Sequence, residues 1–310
     1  NNQTLHYVNQ GVTINEIHNV CELPESLQQS WAARSYHGDA RNNVRGVVNR
    51  FIGHFDGNPV NLVPLSPQDS APLYVEMMGG SEKIIAKGEE LISQGKYLHA
   101  SEILDKLVFA EPRNMPARQL LADAYEQLGY QSESSSTRNT FLQGAFELRN
   151  GMPEGSAPQS TGPDVVRAMS TEQWLDFLGI SMDPKRADGL ALKINLVTPD
   201  NGEQYAIELQ HATLTNIKGF LAPDPDLTVT VNRSDLNRIM MGVATFDQLA
   251  DEGKVRFDGD RAIIYTLRDL MVPFTPDFEI LPGTAPTERQ VPPGREFALP
   301  DPVPALKGGA

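Results

Sequence analysis

Only one cysteine, Cys21, occurs in 310 residues, which excludes an internal disulfide and any zinc site built on paired thiols. Positive charge is also short: 26 Lys and Arg face 40 Asp and Glu, for a formal charge of −14. No nucleic-acid partner is expected, because binding phosphates requires clustered cations that displace counterions. The same field repels sulfate esters at long range, so an anion site would need a local pocket of Arg or amide groups. Apolar runs stop well short of the roughly 20 residues that cross a bilayer, and no membrane span is expected.

Several chemistry-bearing motifs are missing as well. Histidines stand at 6, 18, 37, 54, 99 and 211, yet no His-x-His occurs and no two of them flank a Glu at helical spacing. No metal ligand is therefore assigned. Gly-x-Ser-x-Gly is absent, so no serine nucleophile is assigned either, and the catalytic set within the chain is expected to be empty. Gly79-Gly80-Ser81 lacks the Lys-Ser ending of a phosphate loop and reads as a helix start.

What is present is helical patterning followed by a mixed pattern. At this length two or three cores are expected. Leu5, Val8, Val12, Ile14 and Ile17, then Leu27, Trp31 and Ala32, then Val44, Val47, Val48, Phe51, Ile52 and Phe55 recur at helical spacing. Asp56-Gly57-Asn58-Pro59 stops that run, and Pro59, Pro64, Pro67 and Pro72 read as an extended linker. Gly88, Gly95, Tyr97, Ala100 and Pro112 then fit a tetratricopeptide-like helical hairpin. Leu121, Tyr125 and Gly129 begin a second one that decays into Ser132 to Ser136, which reads as a solvated loop or helix start. So few repeats leave an apolar face that needs a partner surface.

Residues 151–162, rich in Gly, Ser and Pro, form a second linker. Beyond it, Ser170 caps a helix over 171–178. Alternating residues from Leu190 to Val197 meet Asp200-Asn201-Gly202 and return through Tyr205, Ile207 and Leu209 as a hairpin. Strands around 214–217, 227–231 and 255–257 follow, with helices around 234–241, 246–250 and 260–270.

Three segments carry a family resemblance: Phe55-Asp56-Gly57-Asn58-Pro59, Tyr74-Val75-Glu76-Met77-Met78-Gly79-Gly80, and the helical run from Leu121 to Tyr130. Together they are similar to the dimerisation domain of alkyl sulfatases that carry a metallo-β-lactamase-type catalytic core. The later meander of strands and helices, with Gly253-Lys254-Val255-Arg256-Phe257-Asp258-Gly259-Asp260 before the last helix, resembles the sterol-carrier-protein-2 fold that closes those enzymes. The implied fold class is α + (α+β). Residues 1–62 would be the helical end of the catalytic domain, 63–158 the helical dimerisation domain, 159–283 the sterol-carrier-protein-2-like domain and 284–310 a flexible tail.

The resemblance further implies a binuclear zinc centre that hydrolyses alkyl sulfate esters to alcohol and sulfate. The family draws its ligands from a His-x-His-x-Asp-His motif, two acidic residues and a later His. None of that set is in this sequence, so the chain reads as the downstream part of such an enzyme, inactive alone. A homodimer through residues 73–150 and an alkyl sulfate or long-chain alcohol ligand are implied, as is a periplasmic or secreted location. Arg34, Tyr36, Asn42, Asn43 and Arg45 are expected to border the substrate pocket. There Gly38, Asn43 and Val44 keep the family's Tyr-Gly-x-x-x-His-Asn-Val pattern and Tyr36 stands one position before its Tyr, whereas Asn42 stands where a His is usual. Trp174, Phe177, Phe220, Met240, Met241 and Phe246 are expected to line an alkyl-chain cavity, although such residues also serve as ordinary core. The rival readings are a non-enzymatic alkyl- or lipid-binding module fused to a repeat-type dimerisation domain, and a purely structural dimerisation protein.

Overall fold

The computed structural model describes residues 1–153, 155, 162–274, 278–285 and 294. The chain forms two compact units, one of residues 1–156 with 277–310 and the other of residues 157–276. Most of the second linker (154 and 156–161) and most of the expected tail (286–293 and 295–310) lie outside the described residues.

The first unit is helical. Its short α1 (Asn2–Val8), α2 (Ile17–Val20) and α3 (Glu25–Gln28) precede α4 (Ala40–Phe51), which starts where the Asp39 side chain accepts the Arg41 amide. Ile17, Cys21 and Val48 form a small core there. The expected extended linker is not observed. Pro59–Leu62 is a 3₁₀ turn, and α5 (Pro67–Met77) is a helix begun by Ser66, whose hydroxyl accepts the Asp69 amide at 3.1 Å. Proline fits the first turn, where the amide it lacks has no helical partner, and Pro67 occupies that position; Pro72 lies inside α5, which continues past it with one backbone donor missing.

Four helices follow as two antiparallel hairpins: α6 (Ser81–Ser93) with α7 (Tyr97–Ala110), and α8 (Met115–Gln131) with α9 (Ser135–Asn150). The second hairpin is complete, contrary to its decay in sequence. Serines are poor inside a helix but suited to its first turn, which is where Ser135 and Ser136 lie. Gly129 allows the close approach of α8 and α9, since a Cβ there would meet Leu142 at 2.8 Å. Leu104, Leu107, Val108, Leu121 and Leu148 are fully buried between the hairpins.

Residues 278–285 return to this helical unit. Leu281 packs on its core, and the buried Arg118 donates to the carbonyl oxygens of Leu148 (3.0 Å), Gly283 (2.8 Å) and Pro112 (3.3 Å). The Met152 amide donates to Thr284 O at 2.7 Å.

The second unit is α+β. Helices α10 (Pro163–Ala168), α11 (Thr171–Ser181) and α12 (Pro184–Ala187) lead into β1 (Leu192–Thr198), β2 (Glu203–Gln210), β3 (Thr213–Lys218) and β4 (Leu227–Val231). Then come α13 (Arg233–Met240), α14 (Phe246–Asp251), β5 (Val255–Gly259) and α15 (Ala262–Leu270). The sheet order is β3-β2-β1-β4-β5, with β1 and β4 parallel and the other pairs antiparallel. Ser170 caps α11 as expected, and with Gln173 it forms a capping box. In the β1–β2 turn, Asp200 accepts the amides of Arg233 (2.6 Å) and Ser234 (3.1 Å), which fixes the start of α13 over the sheet. A helical first half followed by an α+β domain is thus the architecture observed, as the sequence leads one to expect.

Candidate functional site

The inner face of the sheet and helices α11, α13, α14 and α15 enclose an apolar cavity of about 450 Å³. That volume lies within the range of sites that hold small molecules. Side chains of a strand alternate between faces, so Ile194 and Leu196 of β1, Ile207 of β2 and Val229 of β4 together form the floor. Trp174, Leu175 and Leu178 of α11, Leu236 and Ile239 of α13, and Ile264 and Leu267 of α15 form the walls. Helix α11 can lie near the sheet edge because Gly179 has no Cβ; one there would be 3.1 Å from Leu214 O.

Polar groups gather at one end. Thr245, Asp247, Tyr265 and Arg268 also line the cavity, and the exposure of the Asp247 and Arg268 side chains, 49% and 67%, makes this the end taken as its opening. Asp247 Oδ1 accepts the Tyr265 hydroxyl at 2.6 Å and also pairs with Arg261. The Tyr265 hydrogen bond, helped by Arg261, holds the Asp247 carboxyl below the usual range, and the same bond raises the Tyr265 phenol. Arg268 stacks over the Tyr265 ring at 5.3 Å and donates to Asp269 Oδ1 at 2.7 and 2.9 Å.

Of the residues expected to line this cavity, Trp174 and Phe246 do so. Phe177 falls on the flank of the inward face of α11 and is 38% exposed, while Phe220, between β3 and β4, is 65% exposed. Met240 packs against the core with its sulfur 3.7 Å from Arg233 Nη1, and Met241 follows α13 half-buried; neither belongs to the lining. Sequence reasoning missed the floor. Its signal was the period-two alternation of Ile194, Leu196, Ile207 and Val229, which shows an inward face without showing whether the space above it is filled.

The second expected group lies in the helical unit. Arg34 donates through Nε and Nη2 to the same Glu133 oxygen at 2.5 Å, which holds that carboxyl below its usual range. The Ser134 and Ser136 hydroxyls donate to His37 O at 3.2 and 3.1 Å, and Ser135 donates to Tyr36 O through its hydroxyl (2.8 Å) and amide (3.1 Å). Asn42 reaches Thr137 Oγ1 at 3.4 Å, and the Asn43 side chain lies close to Gly38. Residues 34–43 are therefore latched onto the N-terminus of α9. The serine run that reads as a solvated loop is the docking point. Arg45 is exposed and has no acidic partner among the described residues.

Among the described residues no three His, Cys, Asp or Glu side chains come together as metal ligands do. The residues present do not fit the binuclear zinc centre implied by the resemblance, and no chemical step is derived through it.

Comparison with known proteins agrees with these two units. Residues 13–151 match the family described as alkyl sulfatase dimerisation, and residues 159–283 match the one described as alkyl sulfatase C-terminal. The chain is 35% identical to a linear primary-alkylsulfatase and 36% identical to an (R)-specific secondary-alkylsulfatase, both from Pseudomonas sp., over 91% of its own length in each case. It spans 42% of the length of each. The solved structure of a stereoselective inverting sec-alkylsulfatase from Pseudomonas sp. superposes with a TM-score of 0.84 at 36% identity, covering 91% of this chain and 44% of that one. With a dimerisation region, a C-terminal region and a backbone all shared with these enzymes, the chain belongs to the alkyl sulfatase family and corresponds to a downstream portion of its members.

Proposed function

We propose that the chain serves as the dimerising and alkyl-binding part of an enzyme that hydrolyses alkyl sulfate esters to alcohol and sulfate, on zinc ligands that are not among these residues. The observation that carries this reading is the apolar cavity inside the very domain that matches the family's C-terminal region. Burying a ten-carbon chain there is worth ~8 kcal/mol at ~0.8 kcal/mol per methylene. An association cost of at least ~4 kcal/mol leaves a few kcal/mol in favour of binding.

Leu73, Tyr74 and Met77 are exposed on α5, and Val60, Leu62, Val63 and Leu65 are exposed just before it. These apolar groups are proposed as part of the surface that a second copy covers, in keeping with the dimerisation match over 13–151. Tyr36, Asn42, Asn43 and Arg45, with Arg34 braced on Glu133, are proposed to border the substrate pocket of the complete enzyme.

Titrating the full chain with decanol while following Trp174 fluorescence tests the cavity; saturable one-to-one binding is expected, and a flat response overturns it. Light scattering tests the partner. A dimer is expected, reduced to monomer by Met77→Asp with Tyr74→Ser, and a monomeric parent chain would refute that part.

A further inference from the structure

We infer that the cavity of the α+β domain selects chains with an uncharged head, such as the alcohol product, over the anionic sulfate ester from which that product is made. The inference rests on the reading of the cavity as an alkyl site and concerns only which head group its opening tolerates.

Asp247 carries the argument. Its Oδ1 takes both the Tyr265 hydroxyl and the Arg261 guanidinium, while Oδ2 has no hydrogen-bond partner among the described residues. The carboxyl is held ionised by the same contacts, so an ordinary neutral-pH solution leaves a free, charged acceptor on the cavity lining. A hydroxyl at the end of a buried alkyl chain can donate to that oxygen. A sulfate ester has only acceptors to offer and a full negative charge, and it meets repulsion instead.

The two nearby cations do not reverse this balance. Arg261 is paired with Asp247 and stacked over Phe257 at 5.0 Å. Arg268 is stacked on Tyr265 and gives two hydrogen bonds to Asp269. Each guanidinium is thus engaged by a carboxylate, which leaves Asp247 Oδ2 as the unpartnered charged atom among these groups, in a chain of charge −14 whose long-range field also disfavours anions.

Decanol and decyl sulfate share one chain and differ in the head, so competitive titration of the full chain, read by Trp174 fluorescence and heat, isolates the effect. Decanol is expected to bind at least about fivefold tighter, which corresponds to one unit-charge repulsion near 4 Å in well-screened surroundings. Asp247→Asn keeps the acceptor for Tyr265 and removes the charge; it should shrink the ratio to within about twofold. Salt gives an independent readout on the unaltered protein, where decyl sulfate affinity should rise as screening increases. Equal or tighter binding of decyl sulfate, an unchanged ratio in Asp247→Asn, or decyl sulfate affinity that falls with salt would each overturn the inference while leaving the alkyl site standing. Failure of both ligands to bind would instead overturn the alkyl site, and this inference with it.

Discussion

Arg118 offers the sharpest test of how the helical unit closes. Its side chain is 8% exposed and has no carboxylate partner among the described residues; it spends its donors on the carbonyl oxygens of Leu148 and Gly283 at 3.0 and 2.8 Å, with a weaker contact to Pro112 at 3.3 Å. Arg118→Met keeps the aliphatic stem and removes the fork. Each good hydrogen bond from a charged donor is worth ~1.5–3 kcal/mol, and the carbonyls left behind lose a buried partner. Part of that is regained because a buried guanidinium no longer has to be desolvated. A net loss of about 2–4 kcal/mol is therefore expected, concentrated where residues 278–285 meet the helices. Urea unfolding of the chain measures the total, and hydrogen exchange of the Leu281 to Thr284 amides locates it. Arg118→Lys should recover part of the loss, since an ammonium can still reach one or two of the carbonyls. If Arg118→Met leaves both the unfolding midpoint and the protection of 281–284 unchanged, the closure does not depend on this residue.

Gly259→Ala should destabilise the α+β unit by at least about 2 kcal/mol in thermal unfolding, because φ is +110° there and the new Cβ would run into the Asp226 carbonyl. Val229→Phe places a ring above the cavity floor and should weaken decanol binding by about tenfold or more while the unfolding temperature changes little. Glu203 is held below the usual carboxylate range by Lys218 and then by Thr171, so its stabilisation is present above the unfolded value of about pH 4.3 and is lost as pH falls further. Glu203→Gln should remove that share of the acid-induced loss, seen as a flatter dependence of unfolding temperature on pH below about 4.3.

The α+β half was the more legible in sequence. The Asp200-Asn201-Gly202 turn lies between two alternating runs, and Ser170 opens a helix; both signals are local and both hold. The helical half was less so. Pro67 and the serines at 134–136 are read by average habit as breakers or loop formers, but their effect depends on where in a helix they fall. The latch of Ser134, Ser135 and Ser136 on residues 36–37 joins groups nearly a hundred positions apart, and no local pattern encodes such a contact. The cavity shows a similar limit. Trp174 and Phe246 could be picked out by size, whereas Phe220 could not be told from a lining residue, since composition reveals apolar side chains but not the volume they leave open.

The bond from Met152 to Thr284 and the anchoring of Gly283 by Arg118 tie together the two stems between which residues 157–276 run. In mechanical terms the α+β domain is off the load path. Tension applied across residues 1 and 285 would be carried by helices and by the tie at 152 and 284, and the sheet would feel it only after that tie had parted. The same arrangement frees the domain from the usual constraint on evolutionary change. Insertions between its strands, or replacement of the whole excursion, would leave the distance between the stems unaltered.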